Sequence, residues 1–211
     1  MLGLEIPAGC RHDGTMFELW WFGLFGITND NLSISSREEA TAVYQLYVNK
    51  KYISLRDLLL DAKRMQPTFW DPNHPYEESP AGIFFKHVKN NLLKIKRGPA
   101  YRKDVENGLR LHMILGSDAD VISKVDFFFE LVYPETFVTG DLSLKDKKER
   151  NIPCNAEINL TLGDVTSFGD EVKAELVAKL LFERYLVCHD LKQKNKKQTS
   201  ADKIRQPSSK N

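Results

Sequence analysis

The apolar positions change period along the chain. In MFELWWFGLFGIT, residues 16–28, Phe17, Leu19, Trp21, Phe25 and Ile27 share one face of an extended chain. Trp20, Phe22 and Leu24 share the other, and Glu18 is the sole charge. Gly14, Gly23 and Gly26 in or beside the run speak against a helix. The pattern predicts a strand apolar on both faces, covered twice or with one face kept for another surface. The period then becomes helical. Ser35 with Glu38, or Ser36 with Glu39, forms a capping box ahead of Val43, Leu46 and Tyr47. Ser54 with Asp57 starts a second helix whose stripe is Leu55, Leu58, Leu59 and Ala62, ended by Pro67. Residues 67–82, with four prolines and a glycine, read as an ordered loop or a flexible connector. IFFKHVKNNLLKIKRG follows as a basic amphipathic helix, apolar at Phe84, Phe85, Val88, Leu92, Leu93 and Ile95, and Gly98-Pro99 stops it.

The second half reads mainly as strands. NGLRLHMIL is one. ISKVDFFFELVY and FVTGDLSLKDKK form a hairpin joined near Pro134-Glu135, with Phe127, Phe129 and Leu131 on one side and Phe128 and Glu130 on the other. Ala156, Ile158, Leu160 and Leu162 alternate with Glu157, Asn159 and Thr161, a half-exposed strand. The strongest helical pattern closes the chain, capped by Asp170 and apolar at Val172, Leu176, Val177, Leu180, Leu181 and Val187. After Leu191 periodicity is lost, which predicts a disordered tail. The order of elements implies one α+β domain over residues 1–190, with a largely antiparallel sheet and flanking helices, and a basic tail over 191–211.

Charge sharpens this picture. Residues 191–211 hold seven Lys or Arg against one Asp, so a chain of net charge +1 divides into a tail at +6 and a body at −5. Cys10, Cys154 and Cys188 are scattered without a C-x-x-C pair, and no secretory signal is read, which implies a reducing compartment. No window reaches the ~18 apolar residues of a membrane span.

Candidate chemistry centres on the hairpin. A metal-dependent nuclease of the acid-acid-lysine type needs two carboxylates on a metal ion and a lysine two residues after the second. Asp141 has Ser143 at that place, whereas Asp146 and Lys148 keep the spacing and Asp126 supplies the first acid. The competing reading has the hairpin's charges facing water, and it is preferred. His12, His74, His87, His112 and His189 show no paired metal spacing, and His112 reads as a core histidine. Cys154 reads as inert. No phosphate-binding glycine motif is present, so no cofactor, metal or catalytic residue is assigned.

Binding features stand out more. The tail cations Lys192, Lys194, Lys196, Lys197, Lys203 and Arg205, and the helix cations Lys86, Lys89, Lys94, Lys96 and Arg97, suit phosphates of nucleic acid or anionic lipid. Trp20, Trp21 and Phe22 suit a membrane or protein contact, with a core strand as the plainer reading. FELWWFGLFGITNDNLSISSREEATAVYQLYVNKKYISLRDLLLDA, about residues 17–62, resembles the central part of rhabdovirus matrix proteins. The lysine-rich tail is similar to the nuclear-import signals of plant-infecting members. The P-P-x-Y motif common in such proteins is missing, and Pro75-Tyr76 stands in NHPYEESP without a proline pair. The resemblance implies a self-associating, non-enzymatic α+β protein that bridges viral nucleoprotein or nucleic acid to an anionic membrane, placed in the virion and in the host nucleus or cytoplasm.

Overall fold

The computed structural model describes residues 14–24, 54–64, 66–67, 69–114, 125–145, 156–166 and 169–205, with side chains described as far as Leu191. The helix expected after Ser35 lies outside the described residues. The described chain is α+β, built on a four-stranded sheet in the order β1-β2-β3-β4. Strands β1 (Leu109–Met113), β2 (Phe127–Val132) and β3 (Glu135–Ser143) pair antiparallel, and β4 (Ile158–Thr161) joins β3 in parallel. The expected hairpin is β2–β3, in register Phe129↔Val138, turning at Tyr133-Pro134 through a cis peptide bond.

Helices cover both faces. On one lie α1 (Gly14–Trp21), α3 (Pro80–Lys94), α4 (Pro99–Gly108) and the long α6 (Gly169–Arg205), and the short α5 (Leu162–Thr166) links β4 to α6. Phe127, Phe129 and Leu131 point into this layer against Trp21, Phe84, Phe85 and Leu181. On the other face α2 (Leu55–Arg64) buries Leu58, Leu59 and Ala62 against Phe128, Val125 and Ile114. Ser54 caps α2 as its spacing predicts: its hydroxyl accepts from the Asp57 amide, and its own O–H donates to the Asp57 carboxylate at 2.7 Å.

The segment expected as a strand at 16–28 is helix over Gly14–Trp21. Its apolar residues also satisfy a helical face: Phe17, Trp20, Trp21 and Leu24 are all buried, at the i, i+3, i+4 and i+7 positions. Residues 69–79 run along the outer edge of β1. There the Pro72 carbonyl accepts from the Leu111 amide and the Trp70 indole donates to the Leu111 carbonyl, both at 2.9 Å. The Gln66 amide completes that edge by donating to the Met113 carbonyl and accepting from its N–H. At the C-terminal end the backbone runs on as helix to Arg205, where lost periodicity predicts no regular structure. Among the described residues, no helix is long and apolar enough to cross a membrane.

Candidate polyanion-binding surface

The turn from α3 to α4 concentrates positive charge. Ser79 caps α3, its hydroxyl accepting from the Gly82 amide at 3.0 Å, and Pro80 takes the first helical position. Phe84, Phe85, Val88 and Leu92 are buried, and of the cations between them Lys86 is exposed. Lys94, Lys96 and Arg97 are exposed at the end of α3 and in the loop beyond, and Arg102 and Lys103 are exposed on the first turns of α4. Gly98, at φ +106°, makes the bend, and Pro99 opens α4. Ion pairing thins the set unequally. Arg102 is tied to Glu106 at 2.8 Å and Lys86 to Glu77 at 2.7 Å. Lys94 donates to the Asn91 side chain, a neutral partner. Among the described residues no carboxylate pairs with Lys94, Lys96, Arg97 or Lys103.

The corner is held to α6 by tyrosines. Tyr101 is buried, donates its O–H to the Leu92 carbonyl at 3.3 Å, and packs edge-on against Tyr185 at 5.0 Å. Burial, with Tyr185 beside it, pushes the Tyr101 phenol up to about 12, so it stays a neutral donor. Tyr185 donates to the Asp104 carboxylate at 3.0 Å, and burial first and that bond second raise its own phenol. Asp104 is thereby engaged with a hydroxyl rather than with the neighbouring cations.

The remaining expected positions fall elsewhere. Lys89 is half-buried on α3. Lys192, Lys194, Lys196, Lys197, Lys203 and Arg205 lie along the backbone of α6, beyond the described side chains. Trp20, Trp21 and Phe22 are corrected as contact residues. They are 7%, 1% and 1% exposed, because α1 turns them into the aromatic core beside Phe127 and Trp70.

The hairpin charges also need correction, since they do not face water. Asp126, Glu130 and Asp141 are 4%, 0% and 1% exposed, and Glu130 lies under α2, whose Lys63 it binds. The Asp126 carboxylate accepts from the Leu142 amide on β3. Asp146 and Lys148 lie outside the described residues, and among those described no cluster of three His, Cys, Asp or Glu could hold a metal ion.

Glu130 sits in a polar chain that sequence reading missed. His112 Nε2 is 2.7 Å from one Glu130 oxygen, the Lys63 amine donates to the other, and Lys63 also lies 3.8 Å from Glu135, which binds Arg56 at 2.6 Å. Burial pushes Glu130 up, but the bonds from His112 and Lys63 outweigh it and hold the carboxyl below its usual range. Burial lowers His112 despite the bond to Glu130, so the ring is neutral. His112 Nε2 therefore carries the proton given to Glu130. Nδ1, buried without a partner, keeps a bare lone pair, which costs less to bury than an unpaired N–H. Glu130 in a strand apolar on both sides was the only sequence signal, since its partners lie 18 and 67 residues away. No family model matches this chain, and neither a characterised protein nor a solved structure matches it.

Proposed function

We propose that this chain is a non-enzymatic assembly protein, matrix-like as the sequence resemblance implies, that holds polyanionic partners through the α3–α4 corner. The partners are a nucleoprotein or its nucleic acid on one side and an anionic membrane surface on the other, with self-association making the assembly multivalent. The observation that carries the reading is the corner itself: Lys94, Lys96, Arg97 and Lys103, exposed and without carboxylate partners among the described residues, on a body that is net negative. Cations already paired release little on meeting a phosphate, whereas free ones displace condensed counterions outright. The N-terminal end of α4 adds partial positive charge at the same place. Membrane contact in this reading is electrostatic, since the aromatic residues of α1 are in the core.

The test is fluorescence anisotropy with a labelled single-stranded RNA, alongside co-sedimentation with phosphatidylserine vesicles, both over a salt series. Binding that weakens with salt and is reduced by Lys96→Glu, Arg97→Glu and Lys103→Glu together supports the reading. Absence of binding to both probes at low salt, or binding that the triple substitution leaves unchanged, overturns it.

A further inference from the structure

Helix α6 carries two apolar faces. The side chains it buries, among them Ala174, Val177, Leu181 and Tyr185, lie on one side. At about 100° of rotation per residue, Val172, Leu176, Val187 and Leu191 fall within about 100° of one another, on a side turned roughly 135° from the first. They are between 42% and 69% exposed, and half-buried Leu180 lies between them. They make up four of the seven large apolar side chains exposed among the described residues. Apolar residues scattered singly over a surface need no partner, but a stripe down one helix marks a contact surface.

The charges on this face run in order. Lys173 and Lys179 lie in its first half, and Glu183 and Asp190 in its second. Among the described residues no carboxylate pairs with either lysine and no cation pairs with Glu183, while Asp190 has only His189, at 3.9 Å. Arg184, at the edge of the stripe, is already held by Glu157 and the Phe137 carbonyl. Glu171 and Glu175 stand further round the helix. Two such helices laid antiparallel, centred between Leu181 and Phe182, bring Val172 level with the partner's Leu191 and Leu176 level with the partner's Val187. Lys173 is then level with the partner's Asp190. Lys179 and Glu183 share one flank, so the two-fold axis brings each to within one residue of the other's level, twice. A parallel pair in register would set like charges side by side instead.

We propose that two copies of this chain pair antiparallel through this stripe of α6. The inference deepens the proposed function, resting on that reading for self-association and naming the surface that performs it. An anionic membrane suits the stripe less, because Glu183 and Asp190 would face headgroups of their own sign. From Val172 to Leu191 the seam is roughly 28 Å long, smaller than a standard interface, so the pair is weak alone. It tightens when one polyanion holds several copies together.

The test is sedimentation equilibrium of the full chain, free of nucleic acid and lipid, at concentrations up to on the order of 100 µM. A monomer–dimer equilibrium is expected. Leu176→Gln with Val187→Gln should weaken it at least about tenfold. Both positions are exposed, so the fold should survive, which circular dichroism checks. Lys179→Glu alone and Glu183→Lys alone should each weaken the dimer several-fold, and the two together should restore it. A dimer that ignores the glutamine pair, single charge changes that cost nothing, or a double exchange that restores nothing overturns this interface and leaves self-association to another surface. A chain monomeric throughout overturns the interface and self-association together, while binding of RNA and vesicles at the α3–α4 corner is read separately. Glutamine substitutions that leave sedimentation unchanged but release the chain from phosphatidylserine vesicles would assign the stripe to lipid and overturn the pairing.

Discussion

At the scale of single residues, His112 ties the fold to pH. Its ring is stacked on Phe128 at 4.5 Å, bonded to Glu130, and within the field of Lys63 and Arg110, which oppose protonation. Burial lowers its proton affinity in the folded state, so below the ordinary imidazole value of 6.5 the unfolded chain binds more protons. The stabilisation is complete above 6.5 and is lost as pH falls from there. Glu130 is also lowered, and its contribution is lost in a separate window below the ordinary carboxyl value of 4.5. Urea unfolding from pH 7.5 downward should show a decline beginning near 6.5 in the native chain. His112→Phe should remove that upper decline and shrink the lower one, because it also takes a bond from Glu130; an unchanged upper decline would refute the assignment. The sequence places His112 in the core correctly and Glu130 in water wrongly. Strand parity is a local property, whereas the cover supplied by α2 comes from residues some 70 positions away. Gly140 is a second such position. A Cβ there would meet the Phe127 ring at 2.0 Å, and Phe127 is itself locked against Trp21 at 4.9 Å. Gly140→Ala should therefore cost about 1–3 kcal/mol, read as a lower urea midpoint; no change would mean that the ring can move aside.

At the scale of elements, α1 shows how one sequence cue can point two ways. Glycines in an aromatic run argue against helix, yet here they mark its ends. Gly14 is the first helical residue, and Gly23 is the residue at which the helix stops. The Gly23 amide bonds the Trp20 carbonyl at 2.9 Å and the Leu24 amide bonds the Leu19 carbonyl at 2.7 Å, the paired bonds of a Schellman cap. Leu19 and Leu24 are both buried, which supplies the apolar contact that accompanies this cap. Gly23 has φ +77°, and an added Cβ would lie 2.9 Å from that of Ser79. Gly23→Ala should thus cost about 1–2 kcal/mol in thermal or urea unfolding. Gly163→Ala is the control: its nearest contact is 3.6 Å away and alanine favours helix, so that variant should match or exceed the parent. If Gly23→Ala matched it too, the cap would not be what ends α1. Elements whose signals agree were read correctly, as with α2, where the Ser54 box and the leucine stripe coincide, and the β2–β3 hairpin, where turn and alternation coincide.

At the scale of the whole molecule, the division of charge was legible in the sequence, but the availability of each charge was not. The run KIKRGPAYRK supplies five cations, and only the folded chain distinguishes Arg102, neutralised by Glu106, from Lys96, Arg97 and Lys103. That distinction has a measurable consequence if the corner meets phosphates. Each engaged cation steepens the fall of log affinity with log salt by roughly 0.7 on a single strand. Lys96→Ala, Arg97→Ala and Lys103→Ala together should flatten the slope by roughly 2. Arg102→Ala frees Glu106 to face the phosphates and removes a cation that was already compensated, so its effect on the slope should be much smaller than one third of that. A tail that bound alone would give the reverse outcome, with the corner substitutions leaving the slope unaltered and removal of residues 192–211 abolishing it. On vesicles each lost cation should weaken adsorption by about 1 kcal/mol, in proportion to the anionic lipid fraction. The corner thus predicts a graded, additive electrostatic response on both probes, while a shaped site for one ligand would lose binding sharply at a single substitution.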